Sequence, residues 1–198
     1  MAAGVVRAPA GLSARVAAFD REVDRFFDEH LRGRPAADRV FYAASALGDH
    51  GLIWLMLATL RGLRSGEHLP AAVRTAVGVA VESAVVNGPV KLLFRRSRPV
   101  HEGLRPLPLR TPRTSSFPSG HATSAFCAAS LLSEDDPLWP LYYAIATAVA
   151  WSRVHVKIHH ASDVAAGIVI GAVMGHLGRR LSPMHGRRAR GSRRVPGR

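Results

Sequence analysis

Between Val40 and Leu60 the chain reads VFYAASALGDHGLIWLMLATL, 21 residues whose apolar character is interrupted only at Asp49 and His50. As a helix this run would extend about 31 Å, enough to cross the hydrocarbon core of a bilayer. The stretch from Ala71 to Phe94 is also long enough, and its Gly, Ala and Ser residues suit close helix contacts in lipid. Charged groups inside such segments are costly unless they face protein, so Asp49, Arg74 and Glu82 each call for a neighbour within the fold. Three more apolar segments follow: ATSAFCAASLLS from Ala122, LWPLYYAIATAVAWS from Leu138 and ASDVAAGIVIGAVMGHLG from Ala161. The first two are short for a span unless they extend into their polar flanks. No strand alternation of useful length and no internal repeat is present. The pattern therefore predicts an all-α membrane helical bundle of about five transmembrane helices.

Upstream, Leu12, Val16, Phe19, Val23, Phe26, Phe27 and Leu31 recur every three or four positions among charged residues. That is an amphipathic N-terminal helix, lying either on a membrane interface or against its own domain. The first residues lack a continuous apolar core, so no secretory leader is expected. After Gly178 the sequence RRLSPMHGRRARGSRRVPGR carries eight Arg and no acid, the composition of a disordered tail suited to an anionic leaflet. Three regions follow from this: an N-terminal segment at 1–39, a membrane domain at 40–180 and the Arg-rich tail at 181–198. In total, 27 Lys and Arg stand against 14 Asp and Glu. An anionic partner or substrate is expected, whether nucleic acid, lipid headgroups or phosphate esters, and the apolar helices before the tail favour a leaflet, with no specific nucleic acid expected. The single Cys127 leaves no intramolecular disulfide and no cysteine-based metal cluster, and its apolar surroundings mark it as a packing residue.

Three polar clusters lie at the ends of apolar segments. In KLLFRRSRP, Lys91 and Arg98 are two helical turns apart, but Pro99 disfavours helix at Arg98, which would bend inward from the helix end. The plainer reading of this cluster is a basic membrane anchor. In FPSGHATSAF, Ser119 and Gly120 offer a hydroxyl and an open amide at a helix start, where an anion is favoured, and His121 can give that anion a proton. Taken alone, Ser119 is equally well read as a helix cap. In SRVHVKIHHASD, Arg153 precedes His159, and Asp163 follows four residues later. On a helix that spacing shares one face, so the carboxylate would orient His159 as a nucleophile. His155 and His160 raise a metal site as the alternative, yet no cysteine or second carboxylate completes one. Together the clusters supply three cations, two neutral donors, an acid and a nucleophile, the requirement for phosphoryl transfer with no metal and no other cofactor.

The order K…RP, PSGH, SR…H…D resembles the three-part signature of the type 2 phosphatidic acid phosphatase superfamily, which includes lipid phosphate phosphatases, undecaprenyl pyrophosphate phosphatases and vanadium haloperoxidases. The resemblance covers roughly Val40 to Gly178. It implies that His159 attacks phosphorus with Asp163 hydrogen-bonded behind it, and that His121 protonates the leaving oxygen and then activates water. Lys91, Arg98, Ser119, Gly120 and Arg153 would bind the phosphate. Two departures bear on the substrate: His160 and Ala161 stand where an aromatic and a Pro are frequent, and Lys157 replaces a small residue.

The leading expectation is an integral membrane phosphatase acting on a lipid phosphate or isoprenoid (pyro)phosphate through a phosphohistidine. A vanadate-dependent haloperoxidase and a noncatalytic binder of anionic lipid are the alternatives. The first conflicts with the apolar segments, and the second conflicts with the full set of catalytic residue types. With five spans, all three motifs share one side. The Arg tail then favours a multi-pass cell-membrane protein with a cytoplasmic C-terminus and an extracytoplasmic site.

Overall fold

The computed structural model describes residues 10–101 and 105–184, so the tail beyond residue 184, and with it the reading of a disordered Arg-rich segment, lies outside the described residues. Among those described the fold is all-helical. It comprises α1 (Ala10–His30), α2 (Pro35–Leu47), α3 (Leu52–Arg64), α4 (Leu69–Val85), the single turn α5 (Lys91–Leu93), α6 (Gly120–Leu132), α7 (Trp139–His155) and α8 (Ala161–Leu181).

The 21-residue apolar run is not one straight helix. It breaks at Gly48–Gly51, and the pair from Pro35 to Arg64 bends by 64°. His50 and Gly51 adopt positive φ values of 55° and 71°, a left-handed backbone that ends α2 and restarts the chain as α3. Two helical stretches, Gly66–Leu93 and Ala161–Leu181, are long and apolar enough to cross a membrane, and the bent pair makes a third if it counts as one span. Outward-facing residues on these helices are large and apolar. Val73, Val77, Val81 and Val85 repeat every fourth position on α4, and Val169, Val173, Leu177 and Leu181 do so on α8. A belt of this kind belongs in lipid rather than water.

α6 is different: 11 of its 13 residues are buried, so the other helices surround it. Its closest partner is α8, which presents Gly167, Gly171 and Gly175 at four-residue spacing. A Cβ on Gly171 would overlap the Thr123 carbonyl, and one on Gly167 would lie 2.7 Å from the Ser119 carbonyl. Backbone cannot yield as a side-chain tip can, so these glycines set how closely α8 approaches the start of α6. The arrangement joins the second and third sequence clusters: the Ser119 amide donates to the Asp163 carbonyl at 3.0 Å.

The buried ionic residues have neighbours, as their position in apolar segments demands. Arg74 pairs with Glu134 and donates to the Leu131 and Ser182 carbonyls. Arg61 pairs with Asp136 at 3.3 Å and donates to the Glu134 carbonyl at 2.8 Å. These arginines satisfy carbonyls left open where α6 ends. At the opposite end, α1 lays Val23, Phe27 and Leu31 against a cluster containing Val154, Ala161 and Val164. α1 is therefore packed on α7 and α8, while Phe19 and Phe26 remain on its outer surface.

Candidate active site

The three clusters converge on one cavity of about 260 Å³, lined by Lys91, Gly120, His121, Arg153 and His159 together with the α2–α3 break and Arg110. Each arrives by a different local route. Lys91 is the first residue of α5, which follows a wide turn at Val86–Val90 containing Gly88 and Pro89. Arg98 lies beyond the helix in extended chain, as Pro99 requires. Its guanidinium donates to the Ile158, Thr114 and Ser115 carbonyls at 3.0, 3.1 and 3.2 Å, binding the first cluster to the loop before the second and to the third itself.

Ser119 is the N-cap of α6, fully buried, with its Oγ turned to the Ala122 amide at 3.5 Å. Gly120 lies against the side chain of Asn87, and a Cβ there would come within 2.9 Å of Asn87 Oδ1. Arg153, near the end of α7, is fully buried. Its Nη1 donates to Ser45, whereas Nε and Nη2 have no protein partner. A buried guanidinium with two unsatisfied donors is expensive unless something negative is brought to it.

His159 sits in the loop between α7 and α8 and is 3% exposed. Its Nε2 lies 3.2 Å from Arg98 Nη1. A guanidinium can only donate, so Nε2 accepts and the ring proton belongs on Nδ1, the nitrogen facing Asp163. Nε2 thus carries the lone pair a nucleophile needs. Burial, reinforced by the positive charges of Arg153 and Arg98, pushes the imidazole pKa down to about 3, with Asp163 pulling the other way. His159 is therefore neutral at pH 7.

The geometry behind His159 differs from the simple i, i+4 picture. α8 begins at Ala161, so His159 lies outside the helix that carries Asp163, and the helix does not bring the two together. Nδ1 and Asp163 Oδ2 are 3.7 Å apart, beyond a formed hydrogen bond. Asp163 instead accepts from Ser116 Oγ, from the His160 amide at 2.9 Å and from Arg96 Nη1 at 2.6 Å.

Two site residues were not legible as such in the sequence. Asp49, in the α2–α3 break, has Oδ1 3.0 Å from His121 Nε2. Gly48 makes this possible, because a Cβ there would be 2.7 Å from His121 Cδ2. Its signal was the polar interruption of an apolar run. Arg96 lay in the first cluster, but no spacing rule distinguished it from Arg95. His155 and His160 are occupied elsewhere: His155 Nε2 is 2.8 Å from Asp38 Oδ1 with its ring stacked on Phe41, and His160 is the N-cap of α8. Lys157, at φ 50°, reaches Asp28 and Asp24 on α1 at 3.1 and 3.5 Å.

Buried cations, an unprotonated imidazole and a second, carboxylate-paired imidazole surround one small cavity on a helical bundle, an arrangement suited to phosphoryl transfer. The model of the PAP2 superfamily matches residues 71–187, and the chain belongs to that superfamily. It is 36% identical over 151 residues to the decaprenylphosphoryl-5-phosphoribose phosphatase of Mycobacterium tuberculosis, covering 74% of this chain and 81% of the relative. With the lipid A 1-phosphatase of Porphyromonas gingivalis it shares 33% identity over 117 residues, which is 57% of this chain and 24% of that one. The transmembrane PAP2-type phosphatidylglycerolphosphate phosphatase of Bacillus subtilis has the same fold, with a TM-score of 0.65 over 90% of each chain at 21% identity.

Proposed function

We propose that this chain is an integral membrane phosphatase that hydrolyses a lipid phosphate or isoprenoid (pyro)phosphate, with His159 as nucleophile. The observation that carries this reading is the pairing of an acceptor Nε2 on His159 with the unsatisfied donors of Arg153 and Arg98 beside it. Phosphatase relatives that act on polyprenyl and lipid A phosphates support the substrate class. Lys91, Arg98, Arg153 and the Gly120 amide hold the phosphate oxygens, and Ser119 holds the turn that aims that amide. As substrate binds, Arg98 exchanges Nε2 for a phosphate oxygen. Nε2 then forms the N–P bond while the P–O bond to the lipid breaks and His121 protonates the departing oxygen. In the second half, His121 takes a proton from water, whose oxygen displaces His159 from phosphorus. Asp49 keeps His121 oriented through both steps, in which the ring first gives up a proton and then regains one from water.

A panel of purified-enzyme assays in detergent with chelator present tests this. Terminal phosphate is released from a polyprenyl phosphosugar, an isoprenoid diphosphate or phosphatidic acid at a rate unchanged by chelation, because the three cations do the work a metal would do. Strict dependence on magnesium contradicts the mechanism.

Five membrane-crossing elements account for the fold: the bent α2–α3 pair, α4, α6, α7 and α8, with α1 at the interface beside the site. Of the three regions bounded at 39 and 180, the first holds this interfacial helix, the second the bundle and the third the tail, except that α2 begins at Pro35 and so brings the start of the bundle before residue 39. The site lies outside and the Arg-rich C-terminus lies in the cytoplasm, where basic residues are retained. Cysteines introduced at Leu107 and Ser192 report this directly. An impermeant thiol reagent on intact cells labels the first and spares the second, and the reverse pattern overturns the orientation.

A further inference from the structure

Because α8 starts two residues after His159, no shared helix face sets Asp163 against the nucleophile; its Oδ2 is held by Ser116 Oγ and, in the capping box, by the His160 amide, which leaves Oδ1 to a third group. The neighbours of Asp163 show what fixes it. Arg96 Nη1 donates to Asp163 Oδ1 at 2.6 Å and to Ser162 Oγ at 2.7 Å, and Arg96 Nη2 donates to Asp20 Oδ2 at 2.6 Å. Asp20, from the middle of α1, then closes the loop: its Oδ1 accepts from the Ser162 amide at 2.7 Å and its Oδ2 from Ser162 Oγ at 2.9 Å. Asp20 is 6% exposed, whereas the other charged residues described on this amphipathic helix are exposed or half-buried.

We infer that Asp20 and Arg96 are positioning residues for the phosphatase reaction, a clamp through which the N-terminal helix holds Asp163 against His159. The inference rests on the reading of His159 as nucleophile. Two separate attachments make the clamp. Asp20 satisfies an open amide in the first turn of α8, so the turn bearing Asp163 is tied to α1. Arg96 lies between two carboxylates and neutralises their repulsion, and its planar fork fixes the direction of each bond, a task a Lys point charge cannot perform. The Lys157 ion pairs to Asp24 and Asp28 one and two turns along reinforce the docking of α1 but touch neither His159 nor Asp163. Arg32 adds a further tie by donating to the Val154 and His155 carbonyls at 2.7 and 2.8 Å. The N-terminal helix is accordingly part of the catalytic apparatus at one point, Asp20, and a packing element elsewhere.

Asp20→Asn tests this, since it preserves shape and removes the charge that orients Arg96. Measured on full-length enzyme in detergent, kcat falls about tenfold to a hundredfold, the scale of a misplaced catalytic group. KM and the inhibition constant of inorganic phosphate stay within about twofold, because the anion-binding groups are untouched. Asp20→Glu recovers part of the loss. Asp24→Asn, which weakens only docking contacts of α1, those to Lys157 and Arg32, leaves kcat at the parent value. Wild-type kcat in Asp20→Asn overturns the inference, as does a kcat loss matched by an equal weakening of phosphate inhibition. Should Asp20→Asn fail to fold, Ser162→Ala keeps both charges and removes the hydroxyl that bonds to Arg96 and to Asp20. A several-fold lower kcat then supports the clamp, and an unchanged kcat assigns Asp20 to packing alone. His159→Ala, assayed in parallel, separates the two levels: its retained activity sinks the nucleophile assignment, whereas its inactivity beside a fully active Asp20→Asn sinks only the clamp.

Discussion

His159→Ala releases no measurable phosphate from any substrate the parent enzyme accepts, a fall in kcat of about four orders of magnitude or more, the scale seen when a nucleophile is deleted. The protein stays folded. His159 is buried, but its Nδ1 lies too far from Asp163 for a formed hydrogen bond, and Arg98, the partner of its Nε2, keeps three backbone carbonyls without it. Its surroundings serve reactivity instead. A pKa held near 3 by burial and two guanidinium groups keeps the ring neutral, and the donor-only Arg98 at Nε2 assigns the proton to the nitrogen away from the cavity. Phosphate release and thermal unfolding in detergent, measured together, check both halves of the expectation. An inactive variant with the parent melting temperature supports it, and retained turnover removes His159 from the mechanism.

The second large effect belongs to Arg153. Arg153→Met loses about 10²- to 10³-fold in kcat/KM, the loss typical of removing one preorganised donor to a developing anion. Unlike most buried substitutions, it does not lower the melting temperature. The wild-type guanidinium is fully buried with only Nη1 paired, so the folded enzyme carries an unsatisfied charge that a methionine of similar volume removes. Activity lost while stability is kept or gained is the signature of a group held for substrate, measured by phosphate release and by the unfolding midpoint without ligand. Loss of stability with activity retained per folded molecule would make Arg153 a structural cap for α2 and α7.

Lys91, Gly120, His121, Arg153 and His159 meet at one cavity, with Arg98 beside it on His159 Nε2, because each sits at or beyond a helix end, and helix ends were legible from Pro99, from the PSGH turn and from the limits of apolar runs. The break at Gly48–Gly51 was hidden. Four residues in a 21-residue apolar run barely disturb its composition, and only the paired positive φ values of His50 and Gly51 turn the interruption into a 64° bend. Asp49 was consequently visible as a polar spot but not as the partner of His121.

The contacts of Asp20 and Arg96 span 76 positions, and no periodicity connects an aspartate on one helix with an arginine in a later loop. Asp163 shows the opposite error. Its spacing from His159 is right, but the inferred reason is not, because the helix begins at Ala161 and tertiary contacts do the holding. The departure at Lys157 has a local explanation in the acids of α1, which accept its charge where a small residue would need none.

The central claim is that phosphorus passes through His159. An isoprenoid diphosphate labelled at its terminal phosphorus is mixed with His121→Ala enzyme, which keeps the nucleophile but lacks the group that activates water, and is quenched under alkaline conditions. A phosphate leaving group needs the least protonation, so the first half of the reaction proceeds while the second stalls. The account predicts stoichiometric, acid-labile label mapped to His159 by peptide mass spectrometry. Turnover with no label on His159, or label on another residue, contradicts it.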